Sequence, residues 1–163
     1  MRERDAAGWL GTVVGTVVHG AGRGRRLGFP TANVTPDLTD QTEQTEPTEP
    51  TKPTEPLPES AVYAGLMARL STGSLHPVTV SVGTNPTFCD GDEVHIEVYC
   101  HDLSTDLYGE RVVVWLAARL RDTVRFPTAE ALVAAAAGDV ERTVATLTEE
   151  HRARAAKELR ACS

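Results

Sequence analysis

Short runs rich in β-branched residues recur along this chain at 9–19, 62–70, 75–83, 93–101 and 111–119, set apart by clusters of Gly, Pro, Asn and Asp. Runs of that length with that punctuation are strands with short connections, so five or six strands in an antiparallel barrel are expected. The run at 93–101 alternates: Val94, Ile96, Val98 and Cys100 share one face, and Glu93, His95, Glu97 and Tyr99 share the other. One face is core and the other is free for chemistry.

After Phe126 the period becomes helical. Thr128 is placed to cap, Glu130 favours the first turn, and the helix formers from Leu132 to Ala137 stop at Gly138. Asp139 is read as the cap of a second helix, in which Val140, Val144, Leu147 and His151 fall at helical spacing. His151 on such a stripe is expected to pack and not to bind a ligand. The helical region covers about 127–161, flanking or closing the barrel.

A length of 163 residues suits one domain, and 40% apolar content can build a core without disulfides or metals. Cys89, Cys100 and Cys162 are odd in number and lack C-x-x-C spacing, so reduced thiols are expected and no zinc site. No apolar run approaches the ~20 residues of a membrane span. A soluble, untargeted, cytoplasmic protein is the expectation, with no membrane partner.

The net charge of −7 is unevenly spread: residues 35–60 carry seven acids against Lys52 alone, a local balance of −6. The rest of the chain is therefore near neutral and lacks the broad basic face that nucleic acid requires. Within 35–60, residues 45–56 are four tandem triplets, three Thr-Glu-Pro and one Thr-Lys-Pro. Such a segment bonds into neither helix nor sheet and has almost nothing to bury, so a disordered acidic insert inside one domain (1–163) is expected. Its acidic P-x-x-P spacings read better as an expansion than as a partner-binding motif.

Between positions 20 and 33 runs Gly-Ala-Gly-Arg-Gly-Arg-Arg-Leu-Gly-Phe-Pro-Thr-Ala-Asn. Gly20, Gly22, Gly24 and Gly28 let backbone amides approach an anion, and Arg23, Arg25 and Arg26 add positive charge beside them. Thr31 and Asn33 offer two neutral oxygens from the same side of an extended segment, which suits a magnesium ion. Neither the Gly-x-x-x-x-Gly-Lys phosphate loop nor the Gly-x-Gly-x-x-Gly dinucleotide spacing is present. Taken alone, the stretch also reads as a surface turn before a Pro-stopped strand.

The continuation Leu-Gly-Phe-Pro-Thr-Ala-Asn, preceded by that Gly/Arg loop, resembles the hallmark of the riboflavin kinase family. The likeness runs from about 11 to 144 in an ordered series: Val62-Tyr63-Ala64-Gly65, Ser81-Val82-Gly83-Thr84-Asn85-Pro86-Thr87-Phe88, Val94-His95-Ile96-Glu97-Val98, Asp106-Leu107-Tyr108-Gly109, Leu120-Arg121 and Gly138-Asp139. It implies a six-stranded antiparallel Greek-key-like barrel with C-terminal α-helices, phosphorylating the ribityl 5′-hydroxyl of riboflavin with ATP. The implied metal is Mg2+, with Zn2+ or Mn2+ as alternatives, and a monomer is expected.

By the same resemblance Glu97 looks like the catalytic base, and Thr31 and Asn33 look like metal and phosphate ligands. The loop from Gly20 to Gly28, with Arg25, looks like the phosphate cover, and Arg121 and Asn85 look like flavin or phosphate contacts. A carboxylate on a strand is rigidly held and ionised at neutral pH, which suits a group that orients and accepts an alcohol proton.

Each residue also has a plainer reading. By alternation alone Glu97 is an outward-facing acid, Arg121 a surface cation at a strand end, and Asn85 a turn residue before Pro86. Tyr108 and Trp115 could stack on a ring, yet on regular runs they read as packing residues. The acidic insert and Cys100-His101-Asp102-Leu103 depart from the family pattern without removing a catalytic group. Only a short leader precedes the first strand, so kinase activity without FAD synthesis is expected. The alternatives are a non-catalytic flavin or nucleotide sensor, and a scaffold recruiting a partner through the acidic loop.

Overall fold

The computed structural model describes residues 8–18, 31–37, 58–86, 92–103 and 106–161. Six strands, β1 Gly11–Val18, β2 Thr31–Pro36, β3 Ala61–Arg69, β4 Leu75–Pro86, β5 Asp92–Cys100 and β6 Arg111–Arg121, are followed by helices α1 Ala129–Thr146 and α2 Glu149–Ala161. The strands close into a barrel in the order β1-β2-β5-β4-β3-β6, with every neighbouring pair antiparallel. This is the expected six-stranded barrel with C-terminal helices. The insert between β2 and β3 falls mostly at 38–57, outside the described residues.

Alternation fills the barrel. Val13, Val17, Val34, Val78, Val80, Val82, Ile96, Val98, Val112 and Val114 are buried in one interior cluster. Each such side chain removed from water contributes roughly 1.5 kcal/mol or more. β3 is different, because Ala61–Ala68 is buried on both faces. Its inward side joins the barrel interior, while Leu66 and Ala68 join Val113, Trp115 and Ala155 in a second cluster outside the barrel. A strand covered on both sides reads as a continuous apolar run. Gly65 lets β3 approach β6 closely, since a Cβ there would run into the Trp115 carbonyl oxygen.

A hydrogen-bonded clasp holds α2 on that second cluster. The indole N–H groups of Trp9 and Trp115 donate to the two Glu158 carboxylate oxygens at 3.0 and 2.9 Å. His151, buried as expected of a packing residue, lies against Trp9 and accepts from the Thr148 backbone N–H through Nδ1.

The helical region departs from the expectation in its division. Gly138 does not stop the first helix, and α1 runs through it to Thr146. A glycine inside a helix costs about 1 kcal/mol relative to alanine. Contacts made immediately downstream by Asp139 and Thr143, both buried, oppose that cost. Asp139 is thus an interior residue of α1 and not a cap. Val144 is 63% exposed, and the helix boundary at Leu147 separates it from His151, so the four-residue stripe does not form.

Candidate active site

Cross-strand register builds a polar surface on the outside of the barrel. Asn33 on β2 stands opposite Glu97 on β5, and Glu97 stands opposite Ser81 on β4. One row along, Thr31, Tyr99 and Thr79 are aligned in the same way. Residues directly opposite on an antiparallel pair share a face with Cβ atoms ~5 Å apart. β2 is the strand absent from the apolar runs, being short and polar, and it carries both candidate metal ligands.

α1 crosses this surface and leaves a cavity of about 400 Å³ against it. Thr31, Ser81, Glu97 and Arg121 supply polar groups to its wall, while Val62, Phe126, Leu132, Val133 and Ala136 make an apolar side. That size, with an apolar wall facing a few polar groups, matches a small-molecule site. Three residues singled out from the sequence, Thr31, Glu97 and Arg121, therefore meet at one cavity. Asn33 adjoins it through its register with Glu97. Asn85 lies near the end of β4, paired with Glu93, four residues beyond Ser81. Gly20, Gly22, Gly24, Arg25 and Gly28 lie outside the described residues.

Arg121 is committed to α1. Its Nε and Nη2 donate three hydrogen bonds of 2.8–3.1 Å to the Asp139 carboxylate, and Nη1 donates to the Asp122 carbonyl. The guanidinium also stands 5.3 Å from the Phe126 ring centre. Arg142 donates to the other side of Asp139 at 2.7 Å, so this buried carboxylate is flanked by two cations. The pair fixes α1 over β6 and sets the width of the cavity.

A second tie joins α1 to β4. Thr143 spends its single hydroxyl proton on the Asp139 carbonyl at 2.8 Å, so Thr79 must donate to Thr143 at 2.9 Å. With Thr79's proton used, His101 Nε2 must be the donor to Thr79 at 2.8 Å. This fixes the His101 tautomer and leaves its buried Nδ1 without a hydrogen bond. Burial pushes the His101 pKa down, against the raising pull of Asp102. Tyr99, whose ring lies 5.4 Å from that of His101, is steadied beside the cavity.

Thr79, Thr143 and Phe126 were not singled out from the sequence, and Asp139 was noted there only as a helix cap and a member of the motif series. One signal was present: Leu132, Ala136, Asp139 and Thr143 share one helical face, and a stripe that turns polar halfway meets a polar partner. Trp115 is buried, as a packing residue should be. Tyr108 lies in a turn and not on a strand, with its N–H on the Asp106 carboxylate.

Known proteins resemble this chain in sequence and in fold. Residues 8–147 match the family model described as Flavokinase, riboflavin kinase. The riboflavin kinase of Homo sapiens is 33% identical over 131 residues, covering 78% of this chain and 74% of the relative. The bifunctional riboflavin kinase/FMN adenylyltransferase of Listeria monocytogenes is 33% identical over 127 residues, but those cover 78% of this chain and 35% of that protein. The chain thus spans about a third of the bifunctional relative. The crystal structure of riboflavin kinase from Trypanosoma brucei superposes with a TM-score of 0.52 at 26% identity, covering 85% of this chain and 80% of that one.

Proposed function

Because the chain belongs to the riboflavin kinase family, we propose that it transfers the γ-phosphoryl group of ATP to the ribityl 5′-hydroxyl of riboflavin, giving FMN and ADP. The observation that carries this reading is the placement of Glu97 between Asn33 and Ser81 at a cavity whose opposite side is apolar. An isoalloxazine ring suits the apolar side, and the ribityl chain then runs toward the carboxylate.

In this mechanism the 5′-oxygen attacks the γ-phosphorus, the bond to the bridging oxygen breaks, and the hydroxyl proton passes to the Glu97 carboxylate. Phosphoryl transfer passes through a loose transition state, so in-line placement and charge neutralisation outweigh base strength. Glu97 suits that task, being held from both sides by the β2 and β4 ladders. Thr31 and Asn33 are oxygen donors on one face of β2, a set that suits Mg2+ and not a soft ion. When bound there, the metal supplies positive charge to the phosphates. The glycines from Gly20 to Gly28, with Arg25, are assigned to the phosphates through their backbone amides. Arg121, its charge engaged by Asp139, is assigned to the flavin side of the cavity, and Asn85 to a contact beside it.

The chain is read as one domain interrupted by the insert at about 35–60, acting as a cytoplasmic monomer. Among the described residues no helix is long and apolar enough to cross a membrane. Incubating the protein with riboflavin, ATP and Mg2+ and separating the flavins by chromatography tests the proposal. FMN dependent on both ATP and metal is expected, and flavin binding without FMN would overturn it.

A further inference from the structure

Pairing β4 with β5 brings together three side chains that phosphoryl transfer does not use. Val78 stands opposite Cys100, and the His101 N–H donates to the Pro77 carbonyl, so the start of β4 and the turn after β5 are locked side by side. His76 Nδ1 is 2.9 Å from Asp102 Oδ1, and Cys100 Sγ is 3.8 Å from the same oxygen. All three potential ligand atoms lie within 4.8 Å of one another. Zinc bonds of about 2.0–2.1 Å to nitrogen or oxygen and about 2.3 Å to sulfur place tetrahedral ligands roughly 3.3–3.6 Å apart. Shifts of a few tenths of an ångström would bring both distances to Asp102 to that spacing, and the His76–Cys100 separation, within 4.8 Å, closes by up to about 1 Å as the metal draws the two ligands together.

The surroundings are those of a ligand set. Ser74 Oγ is 2.9 Å from His76 Nε2, and Thr72 Oγ1 is 2.7 Å from Ser74 Oγ. With Nδ1 on a metal, Nε2–H donates to Ser74, whose own proton passes to Thr72, so the hydroxyl pair holds the ring in the required tautomer. Burial and then the Asp102 carboxylate push the Cys100 thiol up to about 12, against the backbone N–H groups of Asp102 and Leu103 that favour the thiolate, so the metal itself must displace the proton. Cys100 is buried while Asp102 is 55% exposed, leaving one side open for a water ligand.

We propose that His76, Cys100 and Asp102 form a binding site for a borderline-soft divalent ion of the Zn2+ class, tying the turn after β5 to the start of β4. A thiolate and an imidazole select such an ion over Mg2+. On binding, the Cys100 thiol proton leaves to solvent, and the proton that His76 Nδ1 turns toward Asp102 is displaced by the metal, so that the coordinated imidazole carries its proton on Nε2, toward Ser74. The site is separate from the oxygen donors Thr31 and Asn33 and does not rest on the phosphotransfer reading. Short Cys spacing gave no hint of it, because the ligands are 24 residues apart and meet through strand pairing.

The test is a Co2+ titration of the purified protein in excess Mg2+, read by the sulfur-to-cobalt charge-transfer band. One saturating equivalent that Zn2+ displaces is expected, with the band lost in Cys100→Ser and kept in Cys89→Ser and Cys162→Ser. Asp102→Asn and His76→Ala should weaken Co2+ binding roughly tenfold or more. Because Cys100→Ser alters a buried position, Asp102→Asn decides the matter once its far-ultraviolet circular dichroism is shown to be native. Absence of a band in the parent protein, or unchanged affinity in folded Asp102→Asn, would overturn the site.

Discussion

Arg121 at the end of β6 and Asp139 in the middle of α1 are joined by three hydrogen bonds, which makes the helix a fixed wall of the cavity. Asp139 is buried, and removing one partner of such a pair strands the other charge. Arg121→Ala is therefore expected to cost about 3 kcal/mol, because Arg142 is half-exposed and only partly compensates. Urea denaturation checks this, and a loss below about 1 kcal/mol would show that α1 is held by its apolar face alone.

Glu158 serves two indoles, one with each carboxylate oxygen. Glu158→Gln keeps one acceptor and turns an amide N–H₂ toward the other donor. The expected loss is about 2 kcal/mol, the value of a charge-assisted hydrogen bond at a partly buried site. Equilibrium unfolding followed by tryptophan fluorescence reads it directly. A stability within experimental error of the parent would remove the clasp from the account.

Thr143 is fully buried and passes a hydrogen bond between β4 and its own helix. Thr143→Val preserves shape but leaves the Thr79 hydroxyl without its acceptor. A cost of about 1–2 kcal/mol is expected, from one buried polar group losing its partner. Thermal unfolding of the variant beside the parent measures it, and no change would mean that Thr79 finds another acceptor.

Glu110 accepts from Arg69 at 2.7 and 2.5 Å, and these hydrogen bonds hold its pKa below the ordinary 4.5. A carboxylate so depressed contributes stability that is fully present above 4.5 and lost as pH falls through its folded value. Stability measured from pH 7 downward should decline below about 4.5 less steeply in Glu110→Gln than in the parent. Equal slopes would show that the pair does not respond to pH.

The strands were legible because a two-residue period survives any sequence context, and Glu97 was correctly placed on the outward face by the alternation around Ile96 and Val98. β3 was equally readable, its run at 61–68 being apolar throughout because helices cover its outer side. The continuity of α1 was not legible. Gly138 is a local stop signal, and only contacts on distant β4 and β6 carry the helix past it. Asp139 was misread for the same reason, since a cap and a buried ion-pair partner look alike until Arg121 is in place. Thr31 and Asn33 drew attention by their local spacing as oxygen donors on an extended segment, and the order of motifs then implied their ligand role, on a strand too short to announce itself by its period.

Glu97→Gln, assayed for FMN formation and for riboflavin binding by flavin fluorescence, tests the central claim most directly. The substitution preserves size while removing the charge and the acceptor for the hydroxyl proton. Riboflavin affinity close to the parent with kcat lowered about 10²-fold or more is the predicted result. Turnover equal to the parent would contradict the assignment of Glu97 as the base.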